Sequence, residues 1–356
     1  LKTQNLSRQI SLKNSIKRHK EAGFKIEEWH ETILEAVDKL PTSVKEDLFS
    51  SAVESQRIAK TRKAKLPKKI LAGIAAIERK RMKDRILNRD DYKQQWEEHL
   101  LRFVNPEEGI DYNEDLKTAL NLLAAENNAI SLPGPIKGDR GIDKALDLAE
   151  EETIIRRNSN TGFDGVVEPD FDRITDVIRG SLIATTNEEV DQLVNAVYEN
   201  PSWKVIKNTS GRERRNFRKN RQLHKDRFKK PLGGYQDHML LVEMAPGIIA
   251  EIQVHRADVA YAKEIGAGHK FYEVTRQIIE SKINERSVSG RSDTNLVADA
   301  NRKFAEIGRE SKKYYEELSS IYENGTGDRY DPDVSRYRFS ERSRALSSSQ
   351  ASRASS

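Results

Sequence analysis

The sequence predicts an α+β fold: a mixed, mainly antiparallel sheet with flanking helices, preceded by a helical module. Three observations predict it. Residues 26–125 repeat apolar positions at three- and four-residue steps. Residues 131–141 (SLPGPIKGDRG) break that texture with two prolines and three glycines. Residues 233–256 (GGYQDHMLLVEMAPGIIAEIQVHR) then hold two short apolar runs split by a Pro-Gly turn.

Taken in order, Ile33, Leu34, Val37 and Leu40 mark the apolar stripe of an early helix. Asn88 to Asp91 (NRDD) reads as a helix start before Tyr92 to Phe103, and Asn105-Pro106 as its stop. Beyond residue 141 the elements alternate. A helix is expected over Ile142–Arg156, a strand over Arg179–Thr185, a helix over Asn187–Tyr198 and a strand near Trp203–Lys207. His238–Met244 and Ile248–His255 form a hairpin, followed by a helix from Asp258 to about Glu285 and a long helix through KFAEIGRESKKYYEELSSIY. The last stretch is Ser/Arg-rich with almost no aliphatic content; it cannot offset its own ordering entropy and is expected to be disordered. The expected division is therefore a helical module over 1–125, an α+β domain over 126–286, a helix over 287–323 and a tail over 324–356.

Composition narrows the function classes. With 36% hydrophobic and 33% charged residues, much of the chain stays solvated. Its 62 basic against 57 acidic residues are unevenly spread: Arg and Lys crowd 57–69 and 212–230, and runs of that density attract phosphate, free or polymeric, or form a solvated helix face. The absence of cysteine excludes disulfides, thiolate metal sites and a cysteine nucleophile, which suits the cytoplasm. No run approaches the length of a bilayer span and no signal pattern opens the chain, so a soluble protein with no membrane partner is expected. The first residue is Leu rather than Met, the mark of a fragment or a processed product.

Chemistry-bearing residues concentrate in the α+β region. Along a strand side chains alternate faces, so Glu251, Gln253 and His255 project together while Ala250, Ile252 and Val254 point the other way. A half-exposed strand gives the same alternation. Asp176 stands at the mouth of an apolar strand, a place that suits a Mg²⁺ ligand, a strand-end cap or a salt bridge to Arg179. Mg²⁺ prefers oxygen donors and binds through one or two carboxylates plus substrate phosphates, so Asp176 and Glu251 would make a metal pair if their strands are neighbours. Lys225, Arg227, Lys229 and Lys230 converge on a Pro-Leu-Gly-Gly loop that could clamp phosphate, and Tyr235 just after it could stack on a base.

These pieces, in order, resemble the synthetase domain of RelA/SpoT-type alarmone synthetases. The resemblance rests on Asp176, then DRFKKP-x-GGYQD, then EIQVHR, then AYAKEIGAGHKFYE, and covers about residues 130–280. It implies a nucleotidyltransferase-like synthetase domain, a pyrophosphokinase that moves the β,γ-diphosphate of ATP to the 3′-hydroxyl of an acceptor nucleotide or an RNA (tRNA) 3′ end. It implies Mg²⁺ on Asp176 and Glu251, with Glu251 helping to deprotonate the hydroxyl and Tyr235 stacking on the acceptor base. Lys137, with Arg140 and Lys144, corresponds to the family's basic ATP-binding segment, and Arg227 and Lys229 would contact phosphate. Arg179, His238, Gln253 and His255 complete the substrate-binding set. Departures fall around both pockets: Arg179 stands where the family has glycine, Ser181 where it has arginine, and Met239 where it has histidine, with His238 one position early. Neither nucleotide is assigned from the resemblance. The N-terminal part lacks the His and His-Asp pairs of a hydrolase site, so a toxin restrained by a neutralising protein partner, delivered into a host cell or carried by a phage, is one expectation. A nucleic-acid-binding or virion structural protein retaining an inactive synthetase-like fold is the alternative.

Overall fold

A computed structural model describes residues 2–68, 70–76, 79, 89–157, 165–206, 224–228, 234–289 and 294–331. In chain order its elements are α1 (Lys2–Glu21), α2 (Glu28–Asp38), α3 (Thr42–Ala64), α4 (Arg89–Leu100), β1 (Val104–Asn105), β2 (Ile110–Asp111) and α5 (Tyr112–Glu126). There follow β3 (Ile130–Pro133), α6 (Arg140–Arg157), β4 (Ile178–Ala184), α7 (Asn187–Glu199), β5 (Lys204–Val205) and β6 (His224–Asp226). The chain continues through β7 (His238–Ala245), β8 (Ile248–Arg256), α8 (Ala257–Glu264), α9 (Gly268–Ser289) and α10 (Thr294–Thr326). Six strands form one sheet in the order β3-β4-β8-β7-β5, with β6 also paired to β7. Only the β4–β8 pairing is parallel; the rest of the sheet is antiparallel. The fold is thus α+β with a mixed, mainly antiparallel sheet.

Local chemistry sets the helices that flank it. At the start of α5 the Asp111 carboxylate accepts the Glu114 amide at 2.9 Å, and Leu116, Ala119, Leu120 and Leu123 line one buried face. Thr186 and Glu189 form a reciprocal capping box at the start of α7, whose Val190, Leu193, Val194 and Val197 are buried at the same spacing. The two faces of the sheet carry separate cores. Ile178, Leu240 and Ile252 pack on one side with Trp96 of α4, Leu120 of α5 and Leu193 of α7. On the other side Ile183 joins residues of α2, α3, α8, α9 and α10, among them Leu34, Leu48, Tyr261 and Tyr322. The first 125 residues therefore contribute to both cores, α1–α3 to one and α4 and α5 to the other.

Strands β1 and β2 inside the region read as helical, β3 at the stretch read as a break and β6 within the basic stretch were not expected, and one expected helix differs. The helix expected from Asp258 to Glu285 is two helices, broken at Ile265–Ala267. Tyr314 of α10 is the cause: its hydroxyl accepts the Ala267 amide at 3.3 Å, the group a continuous helix would give to the Lys263 carbonyl. A Cβ on Gly266 would lie 2.1 Å from that hydroxyl, so only glycine admits the tyrosine. At the other end of the chain α10 runs to Thr326, and Asp328 beyond it is hydrogen-bonded to Asn187 and Tyr322. The tail expected to be disordered lies, from residue 332 on, outside the described residues. Among the described residues no helix is long and apolar enough to cross a membrane.

Candidate functional site

The hairpin forms as expected, and its register settles which side chains share a face. Parallel pairing of β4 and β8 sets Arg179 opposite Glu251, Ser181 opposite Gln253 and Ile183 opposite His255. From the antiparallel side, Leu241 stands opposite Glu251 and Met239 opposite Gln253. Glu251 is on β8, which neighbours β4, whereas Asp176 lies in the turn before β4, three residues ahead of Arg179, at the mouth of that strand and not on it. His238 is not brought to this face. It pairs with Val254, is 3% exposed and stacks on Phe228 at 5.1 Å on the opposite side of the sheet.

Two groups of polar side chains occupy the site. In the first, the Asp176 carboxylate is buried between two ammonium groups, Lys137 Nζ at 2.5 Å and Lys144 Nζ at 2.7 Å. Burial alone would raise the Asp176 pKa, but the two lysines outweigh it and lower it from 3.8 to about 2. Lys137 is pulled downward by burial; Asp176 opposes this, while Lys144 and Arg179 add to it. The backbone sets this group in place, since the Lys137 amide donates to the Val177 carbonyl at 2.8 Å and extends the β3–β4 ladder. Lys144 comes from the first turns of α6, whose first residue, Arg140, is exposed. The ion pair at Asp176 is made by Lys137 and Lys144, while Arg179 is exposed beside them.

The second group is a chain of polar side-chain contacts that runs from β8 to the segment just before β7. Gln253 donates from Nε2 to Glu251 Oε1 at 2.7 Å, and its Oε1 lies 3.2 Å from His255 Nε2. His255 Nδ1 is 3.4 Å from the Tyr235 hydroxyl, which donates to Asp237 at 2.8 Å. Arg227 closes the chain on Asp237, with its guanidinium on the carboxylate at 2.5 Å and its amide on the carbonyl at 2.8 Å. Burial, then Lys263, Arg227 and His238, holds the His255 pKa well below its ordinary value, so the ring is neutral near pH 7. Burial and the neighbouring Asp237 carboxylate raise that of Tyr235. The Tyr235 ring sits 5.6 Å from that of Tyr315 on α10 and has Arg227 and Lys263 within 6 Å of its centroid. Lys229 and most of the basic stretch 212–230 lie outside the described residues. In the stretch 57–69, Arg57 pairs with Glu54, and Arg62 with Glu306 and Glu310, so part of that charge ties α3 to α10.

Sequence reasoning missed Asp237 and Lys263. Asp237 is fully buried, and a buried carboxylate two residues after Tyr235 demands partners, which its place in the GGYQD stretch could have signalled. Lys263, which donates to Gln253 Oε1 at 2.8 Å, lies on a helix whose relation to β8 no local pattern reveals.

No family model and no curated protein matches the chain. Among solved structures it is similar to small alarmone synthetase 1 from Bacillus subtilis, at 13% identity over 65% of this chain and 97% of that one, with a TM-score of 0.34. Small alarmone synthetase 2 from the same organism matches at 15% identity over 65% and 96%, with a TM-score of 0.34. These two are alarmone synthetases. The complex between the Type VI effector Tas1 and its immunity protein matches at 18% identity over 59% and 91%, with a TM-score of 0.32. With scores of this size the likenesses bear no weight in the functional reading, which rests on the chain's own residues.

Proposed function

We propose that the chain is a pyrophosphokinase that moves the β,γ-diphosphate of ATP to the 3′-hydroxyl of a nucleotide or an RNA end. One juxtaposition carries the reading. Arg179 stands in register with Glu251 and acts electrostatically on Lys137, which with Lys144 holds Asp176, and this link between the Asp176 ion pair and the Glu251 strand supports one shared phosphate site. A diphosphate needs cations around its oxygens, and its acceptor needs a base.

The donor set fits Mg²⁺ of one kind. Among the described residues no group of three or more His, Cys, Asp and Glu could hold a metal by itself. Two hard carboxylates suit an ion that arrives with its nucleotide rather than a resident one, and Asp176 and Glu251 would hold it. When bound, Mg²⁺ supplies charge neutralisation on the phosphate oxygens. The chain's own residues do the rest. Lys137, Lys144 and Arg179 turn toward the phosphates, and the Glu251 carboxylate takes the proton of the attacking hydroxyl. The hydroxyl oxygen bonds to the β-phosphorus as the bond from that phosphorus to the α–β bridging oxygen breaks, and AMP leaves. Tyr235, with Arg227 beneath its ring, faces the acceptor base.

The test is transfer of label from γ-labelled ATP, with Mg²⁺, to a panel of GDP, GTP, AMP, ADP, ATP and tRNA. One acceptor should gain label, and Asp176→Ala and Glu251→Ala should each lower the rate by about 100-fold or more. If no acceptor is labelled, and binding to nucleic acid weakens steeply with salt, the alternative of a phosphate-backbone-binding protein with an inactive fold replaces this one.

A further inference from the structure

Lys263 stands on the last turn of α8, just before the break that Tyr314 imposes; it lies in the AYAKEIGAGHKFYE stretch, but the resemblance gives it no role. Its ammonium donates to Gln253 Oε1 at 2.8 Å and lies 5.7 Å from the Tyr235 ring centroid. The Gln253 amide is therefore held at both ends. Its NH₂ faces the Glu251 carboxylate at 2.7 Å, and its oxygen faces the Lys263 ammonium. Turning the amide over would set NH₂ against an ammonium and oxygen against a carboxylate, so the two charged groups admit one orientation.

That orientation dictates the state of the next residue. Gln253 Oε1 only accepts, and His255 Nε2 lies 3.2 Å from it, so Nε2 carries the hydrogen of the neutral ring. His255 Nδ1 is then a bare acceptor, 3.4 Å from the Tyr235 hydroxyl that donates to Asp237. Lys263 thereby sets, through one amide, both the hydrogen bond that points Glu251 and the tautomer that faces Tyr235. We infer that Lys263 is a positioning residue for Glu251, acting through Gln253 and read out in the tautomer of His255. The part concerning Glu251 as base rests on the function proposed above.

The experiment compares the full chain with Lys263→Met, which keeps the length of the side chain and removes its charge, and Lys263→Arg, which keeps a donor. Nitrogen NMR of histidine-labelled protein, with the His255 signals assigned by their loss in His255→Asn, reads the tautomer. The wild type and Lys263→Arg should show His255 as the Nε2–H form, whereas Lys263→Met should populate the Nδ1–H form as well. In the transfer assay Lys263→Met should lower kcat by about 10- to 100-fold, the usual effect of removing a group that orients a metal ligand, with KM for ATP changed far less. An unchanged tautomer in Lys263→Met overturns the inference and leaves Lys263 as a partner of Glu264, 2.9 Å away. Should the wild type transfer no label, the proposed function fails, while the tautomer still decides whether Lys263 orients Gln253.

Discussion

Asp176 shows how a single side chain can carry both stability and chemistry. Its carboxyl is buried, and the two lysines depress its pKa from 3.8 to about 2. A group whose folded pKa lies below its unfolded value stabilises the fold fully above the unfolded pKa and loses that contribution as pH falls through the folded one. The window for Asp176 is therefore pH 4 down to 2, and the shift is worth on the order of 2 kcal/mol. Urea unfolding without divalent metal should show the stability gap between wild type and Asp176→Asn narrowing by about that amount across this window. A gap that stays constant would mean that the two ammonium groups do not stabilise the carboxylate. At neutral pH the same pairing keeps Lys137 and Lys144 close to the carboxylate, where incoming phosphate oxygens compete for them.

At the scale of elements, packing can outweigh local preference. Gly141 lies in the first turn of α6, where alanine would ordinarily add about 1 kcal/mol of helix stability. A Cβ there would sit 2.1 Å from Trp96, a rigid side chain that is 1% exposed. Overpacking costs about 1–3 kcal/mol, so Gly141→Ala should lower the urea midpoint rather than raise it. The strands β4, β5, β7 and β8 and the amphipathic helices were legible in the sequence because their patterns are local, whereas the short β1, β2, β3 and β6 carry no such pattern. A short apolar run before Pro246-Gly247 marks β7, period-two alternation after it marks β8, and the spacing of Leu116, Ala119, Leu120 and Leu123 marks α5. The break between α8 and α9 was not legible, because it is made by Tyr314, almost 50 residues further on. The site divides in the same way. Glu251 declares itself by its place on a strand and Asp176 by its place just before one, but Lys144 and Lys263, which hold Asp176 and Gln253, come from α6 and α8, whose relation to the sheet is tertiary.

At the scale of the whole molecule, the C-terminal helix belongs to the fold that holds the site. Arg256, at the end of β8, is fully buried; its guanidinium grips Asp258 at 2.7 and 2.9 Å, donates to Asn187 at 2.8 Å and lies over the Tyr322 ring at 3.9 Å. Asp328, just past α10, accepts from the Asn187 amide at 2.8 Å and from the Tyr322 hydroxyl at 2.6 Å. One network therefore ties the end of β8, the start of α7 and the end of α10. Asp328→Ala would leave the Asn187 amide without its carboxylate in a half-buried setting, at a cost of about 1–3 kcal/mol. Where that cost appears distinguishes two architectures. Of the three tryptophans, Trp96 and Trp203 are buried and report the core on one face of the sheet while Trp29 is exposed on α2, and helical circular dichroism is weighted toward the helices packed on the other face. If α10 were a detachable appendage, Asp328→Ala would add an early loss of helix while tryptophan fluorescence stayed in place. Because Tyr314, Leu318 and Tyr322 share a core with α2, α3 and α8 and reach Ile183 on β4, both signals should instead move together to lower urea.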